Sequence, residues 1–248
     1  MIHGYRGHAR DCHRWQPRAG KGDCPFACRP WCTVSITYKS DKAAAAEVGD
    51  LIAARGGKCN VVQLDLISEA SIENFAHRLA EFQEPDILVN NGGELRRPGS
   101  WDKLLGSDLD ATISGNLTGH LRVIQKIVPS MERRGGVVIN IASTYGLTGS
   151  AGVTAYAAAK AGLLSVTSGL ARELGPKNIR VNCLAPGNFD TAMTHGASPG
   201  FKERVLSTIP LGRFGQPEEI GHAVVFLVEA DYVTGHVLVL DGGQMLNM

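Results

Sequence analysis

The sequence predicts an α/β domain built on a doubly wound parallel sheet, and three observations predict it. Short apolar or β-branched runs alternate along the chain with helix-forming segments. Several of these runs end in small or polar residues, Asn90-Asn91-Gly92-Gly93, Ser143 and Pro186-Gly187, and open α/β sheets place their ligands at the carboxyl ends of strands. The chain has 248 residues and is 44% apolar, enough for one core of this kind.

The elements follow in order. Residues 34–38 alternate β-branched side chains as a strand does, and the Ala-rich segment 42–55 reads as a helix. Residues 61–64 form the next strand, a helix covers 70–82, and beyond Pro85 the fully apolar run 86–89 suits a strand at the sheet centre. A long helix is expected over 109–131, bearing Asn116, and Gly135-Gly136 stop it before the strand 137–142. The Ala- and Leu-rich segment from Ala155 to Gly175 is helical, and 179–185 is again a strand. Residues 192–207 are mixed and punctuated by Gly and Pro, which fits a mobile substrate lid. Pro217 at a first turn, followed by Glu218 and Glu219, opens another helix, and 237–240 closes the sheet.

One stretch carries chemistry. Tyr156 and Lys160 are four apart in a helical segment and share a face. A phenol titrates near ~10, and an adjacent ammonium is expected to lower that toward working range. Ser143, at a strand's carboxyl end, can hold an oxygen. Tyr-x-x-x-Lys alone is a common accident of amphipathic helices, so the weight falls on its company: Asn90-Asn91-Gly92-Gly93, Asn116, and Pro186-Gly187 with Thr191.

With these motifs in order and at matching spacing, the chain from Thr33 to Gly243 resembles the short-chain dehydrogenase/reductases, most of all the 3-oxoacyl-carrier-protein reductases and their sugar and alcohol dehydrogenase neighbours. The resemblance implies a Rossmann-like single domain and a reversible carbonyl reduction by hydride transfer. Tyr156 would be general acid and base, Ser143 would hold the carbonyl oxygen, Lys160 would lower the phenol and bind the nicotinamide ribose, and Asn116 would hold a relay water. It further implies adenosine contacts from Asp65 and Leu66, close backbone approach at Asn90 and Gly92, and nicotinamide contacts from Pro186, Gly187 and Thr191. The slot that meets the adenine ribose holds Tyr38, Lys39 and Ser40 in place of an acid, which favours NADP(H) over NAD(H). The alternative for Lys39 is an ordinary solvated lysine at a helix entry, and Asp65 read alone is equally an ordinary helix cap. Homotetramers are common in the family, and Ala157, Ala161, Leu164 and Val166 with 237–240 offer an apolar surface for one. The substrate would be a small ketone or a carrier-bound 3-oxoacyl group. Arg133 and Arg172 are weak candidates for a carrier landing site.

Net charge is +1, which argues against nucleic acid or a membrane surface as partner. No apolar run of ~18 residues and no secretory leader is visible, so the cytoplasm is expected.

The first 31 residues fit none of this and are read as a segment apart from the domain at 32–248. They contain no Leu, Val or Glu, while Met1 to Cys32 hold four of the six cysteines. Such composition excludes a buried strand. Cys24, Cys28 and Cys32 with His13 invite a zinc reading, but the spacing is unusual and Pro25 and Pro30 interrupt it, so no metal is expected. The glycine-rich turn of a dinucleotide fold should lie about twenty residues before Val34, and no such motif is present. Without it the alternative reading is a binding or scaffold protein of the same fold. The genetic code suggests where it went. Read one nucleotide later, Trp15 followed by Gln16 must give glycine, and so must Trp31 followed by Cys32. With permitted codons, the stretch from Arg10 then becomes Val-Ile-Val-Thr-Gly-Gly-Ser-Arg-Gly-Leu-Gly-Lys-Ala-Ile-Ala-Leu-Ser-Leu-Ala-Asp-Arg-Gly. That is a strand, a phosphate turn and a helix in register, and implies a single-base frame displacement near Trp31.

Overall fold

The computed structural model describes residues 2–5, 32–82, 84–95, 100–191 and 199–247. Seven strands form one sheet in the order β3-β2-β1-β4-β5-β6-β7. They are β1 (Ile2–Tyr5), β2 (Cys32–Tyr38), β3 (Lys58–Gln63), β4 (Ile87–Asn90), β5 (Gly136–Ile141), β6 (Ile179–Pro186) and β7 (Val237–Leu240). The pairings of β2 with β3, β4 with β5, β5 with β6 and β6 with β7 are parallel. The helices between them are α1 (Lys42–Ala54), α2 (Glu69–Ala80), α3 (Gly106–Ile113), α4 (Gly119–Met131), the single turn α5 (Tyr145–Thr148), α6 (Thr154–Leu174), α7 (Pro199–Leu206) and α8 (Pro217–Glu229).

The strand alternation expected of a sheet covered on both faces decides the packing. Leu88 and Val138 point to one face and meet Ile72, Phe75 and Leu79 of α2 and Val123, Ile127 and Met131 of α4. Their neighbours Ile87, Val89, Val137, Ile139 and Ile141 point to the other face, against Ala223, Val224 and Leu227 of α8. Each such side chain contributes roughly 1.5–3 kcal/mol by leaving water, so the two layers hold the strand ends in fixed relation.

Two sequence expectations are corrected, and a third segment is described in part. The slot between β2 and β4 is filled by β1, whose four residues pair antiparallel with both neighbours: Tyr5 faces Cys32 in β2, and Ile2 faces Leu88 in β4. A short strand needs only four backbone units and not an apolar sequence, which is why composition missed it. The segment 192–207 is helical in its second part, as α7, while 192–198 lie outside the described residues. The helix expected over 109–131 is α3 joined to α4 through a π-helical segment, Ser114–Thr118, that surrounds Asn116. The zinc reading and the frame reading fall on residues 6–31, outside the described residues apart from Cys32; among the described residues no cluster of metal-ligating side chains is present. No described helix is long and apolar enough to cross a membrane.

Candidate active site

The site is assembled at the carboxyl ends of β2 to β6, from the adenosine end inward. A cleft runs over the ends of β2, β3 and β4, lined by Tyr38, Lys39, Asp65, Leu66, Asn90 and Gly92 among others. Lys39 Nζ stands 3.8 Å from Asp65 Oδ1, and both side chains are partly exposed. The two residues expected to meet different parts of an adenosine are thus in one weak ion pair. Asp65 is not a helix cap: its Oδ1 accepts from the Ile67 amide at 3.1 Å, while Ser68 caps α2 by accepting from Ser71 N. Ser40 is exposed beside them and precedes Asp41, the cap of α1.

Asn90 is 4% exposed and fixed by a buried amide chain. Its Nδ2 donates to Asn140 Oδ1 at 2.9 Å, Asn140 Nδ2 donates to Thr167 Oγ1 at 3.0 Å, and Thr167 Oγ1 donates to the Leu163 carbonyl at 2.8 Å. The end of β4 is thereby tied through β5 to α6. The sequence signal for this chain was a lone polar residue inside the apolar run of β5.

The cleft meets the expected catalytic group at Gly93. A Cβ there would lie 2.5 Å from Asn116 Oδ1 and 3.6 Å from Lys160 Nζ, so only glycine lets these approach the backbone. Asn116, fully buried, uses its side chain on the same segment: Oδ1 accepts from Glu94 N at 3.2 Å, and Nδ2 donates to Glu94 O at 3.0 Å and Thr112 O at 2.9 Å. The π-helical turn around it alters the local backbone bonding pattern, a feature frequent at functional sites.

Ser143 follows β5 and is buried; its Oγ accepts from Tyr145 N at 3.2 Å and is also in hydrogen-bond contact with the Tyr156 hydroxyl. Tyr156 and Lys160 lie on α6 as the four-residue spacing requires, with Lys160 Nζ 5.6 Å from the Tyr156 ring centroid. Lys160, 3% exposed, donates to the Ile141 carbonyl at 2.8 Å. The electrostatics differ from the sequence expectation. Burial pushes the Tyr156 phenol above its ordinary value, the Ser143 hydrogen bond partly offsets this, and Tyr145 adds to it. Burial also pulls Lys160 down, to about 8. Spacing predicted a cation beside a phenol, but not the dry surroundings that act on both.

Pro186 ends β6, and its carbonyl accepts from Thr144 N at 3.0 Å, which sets the chain after β6 beside Ser143. Gly187 donates its N–H to Leu240 O at 2.9 Å, and Asn188 is held by Gln244 at 2.8 Å. Thr191 closes this described segment.

Among the residues expected at an interface, Ala157 is buried within the subunit, whereas Ala161, Leu164 and Val166 are half-buried. Arg133 is engaged by Glu84, and Arg172 donates to Ser168 O at 3.3 Å.

Sequence reasoning also missed His120, 1% exposed, whose Nε2 lies 2.7 Å from the Gly92 carbonyl. Its available signal was a position four residues after Asn116.

The comparisons with known proteins agree with this architecture. The family model described as enoyl-(acyl carrier protein) reductase matches residues 31–245. The 3-oxoacyl-[acyl-carrier-protein] reductase FabG of Chlamydia muridarum is 39% identical over 214 residues, covering 84% of each chain. Carbonyl reductase family member 4 of Xenopus tropicalis is 38% identical over 217 residues, 87% of each. A solved structure from Sinorhizobium meliloti 1021, assigned as a short-chain alcohol dehydrogenase, superposes with a TM-score of 0.82 at 33% identity, over 87% of each chain. The chain belongs to the short-chain dehydrogenase/reductase family of oxidoreductases.

Proposed function

We propose that the protein is an NADP(H)-dependent carbonyl reductase acting on a 3-oxoacyl thioester, presented on an acyl carrier, in the manner the names of its relatives state for them. The observation that carries this reading is the convergence of the Ser143 hydroxyl, Tyr156 and Lys160 beside the turn after β4. The residues present fit a dinucleotide at two places. The cleft with Lys39 at its outer end suits a 2′-phosphorylated adenosine, and the small residues at 92 and 93 admit close backbone approach. When bound, the nicotinamide would supply or accept the hydride. Ser143 would donate a hydrogen bond to the substrate oxygen, and Tyr156 would give that oxygen its proton. Lys160, charged at neutral pH though its pKa is lowered, would favour the phenolate left behind and reach the ribose. Asn116 would hold a relay water, its side chain being spent on Glu94 and Thr112. Pro186, Gly187 and Thr191 would border the nicotinamide, and Asp65 and Leu66 the adenine. We also propose a homotetramer through α4, α6 and β7. Lys39 would leave Asp65 to meet the phosphate, an exchange made easy by their partial exposure.

A second reading has one observation behind it. No glycine-rich phosphate turn is written before β2, and β1 runs opposite to the strand that would present one. A scaffold of this fold would bind no dinucleotide. Titrating the purified chain with NADPH and assaying reduction of acetoacetyl-coenzyme A separates the two. In an active chain Tyr156→Phe should lower kcat about 10²–10⁴-fold with the fold intact by circular dichroism; a variant that keeps most of its activity overturns the assignment of Tyr156.

A further inference from the structure

The turn that follows β4 carries glycine at both 92 and 93, and two consecutive glycines leave a backbone with many accessible conformations. The face of the helix above it answers this. Asn116 and His120 are one helical turn apart and reach down onto the same three residues. Asn116 fixes both backbone polar groups of Glu94. His120 fixes the Gly92 carbonyl at 2.7 Å. A carbonyl can only accept, so the imidazole must present Nε2–H. Burial and the nearby Lys160 charge hold the ring neutral, its pKa pulled down to about 3, which keeps that single tautomer at working pH. Position 92 has no free room for a side chain: a Cβ there would meet Leu66 Cδ1 at 2.8 Å, so Leu66 would have to shift, and would touch His120 Cε1 at 3.8 Å. His120 also lines the cleft itself, with Leu66, Asn90 and Gly92.

We propose that His120 is a positioning residue for the dinucleotide: its imidazole donates to the Gly92 carbonyl and, together with Asn116, clamps residues 92–94 in the conformation that faces the cofactor. This rests on the reductase reading above. The clamp removes before binding the backbone freedom that the ligand would otherwise have to freeze, so its loss shows in affinity more than in the chemical step.

The test uses the full chain, NADPH as probe, and the variants His120→Leu, which fills the space without a donor, and His120→Gln, whose amide N–H can reach the same carbonyl. His120→Leu should weaken NADPH binding about tenfold, with kcat at saturating NADPH changed much less. His120→Gln should stay within about threefold of wild type. A purely structural role predicts a lowered Tm with NADPH affinity unchanged, and that result overturns the proposal. A wild-type chain that binds no NADPH, with or without the shifted N-terminal sequence restored, overturns the reductase reading and this one with it; a wild type that binds, with His120→Leu binding equally well, overturns this one alone. Should His120→Leu not fold, ¹⁵N spectra of the wild-type imidazole decide: an Nε2–H tautomer that does not titrate between pH ~5 and ~8 is expected, and an Nδ1–H tautomer or a titrating ring refutes the clamp.

Discussion

At the scale of single residues the site is governed by dryness as much as by charge. Lys160 is the clearest case: it is charged against the cost of burial and donates to the backbone carbonyl of Ile141. Its folded pKa of about 8 lies below the unfolded 10.5, so between these values the unfolded chain binds more protons and stability rises with pH. The stabilisation is complete above the unfolded value and is lost as pH falls through about 8. Lys160→Met should remove this, flattening the rise in urea midpoint from pH 8 toward pH 10 by as much as about 3 kcal/mol over the whole window. An unchanged slope in the variant would show that the lysine is not desolvated. Tyr156 and Lys160 were legible in the sequence because the helix fixes their relation locally, four residues apart. The direction in which each titrates was not, because it depends on Ser143, Tyr145 and the shielding elements, which are distant in the chain.

At the scale of elements, what aligns the site is polar. Asn90, Asn140 and Thr167, all buried, join β4, β5 and α6 by side-chain bonds. Asn140→Ala strands a donor on one side and an acceptor on the other, at roughly 1–3 kcal/mol each. We expect a loss of about 2–5 kcal/mol in urea unfolding, against under about 1 kcal/mol for Asn60→Ala, whose bond to Ser35 is long and only half-buried. Equal losses would mean that Asn140 matters only for its volume. The strands themselves were readable from their apolar periods, since period two is a local property. The amide chain was not, because its members are separated by 50 and 27 residues. The same holds for His120, 28 residues from Gly92, and for the ion pair of Lys39 with Asp65.

At the scale of the whole molecule, the first 31 residues contribute β1 to the described fold, and the sequence of residues 6–31 as written still lacks a phosphate turn. The family match begins at residue 31, where the shifted reading also ends. Under that reading the natural protein carries Thr-Gly-Gly-Ser-Arg-Gly-Leu-Gly ahead of β2, giving a parallel central strand and an amide cradle for a pyrophosphate. The expected outcome is an N-terminal peptide map of the natural protein containing that glycine-rich sequence, and an intact mass different from that of the written 26.4 kDa chain. Peptides matching residues 10–31 as written would end the idea. Recombinant chain made as written should then bind NADPH far more weakly than chain carrying the shifted sequence, since the remaining contacts grip only the two ends of the ligand.

The direction of β1 has a practical consequence for anyone building on this chain as written. Tyr5 and Cys32 face each other at the amino edge of the sheet, while Ile2 pairs with Ser35 and Leu88, farther toward the carboxyl edge where Asn90 and Ser143 stand. An affinity tag fused ahead of Met1 is therefore delivered toward the carboxyl edge, over which the proposed cofactor cleft opens. An epitope inserted between Tyr5 and Cys32 is anchored at the opposite edge, and is the better choice for immobilising the protein with its cleft open.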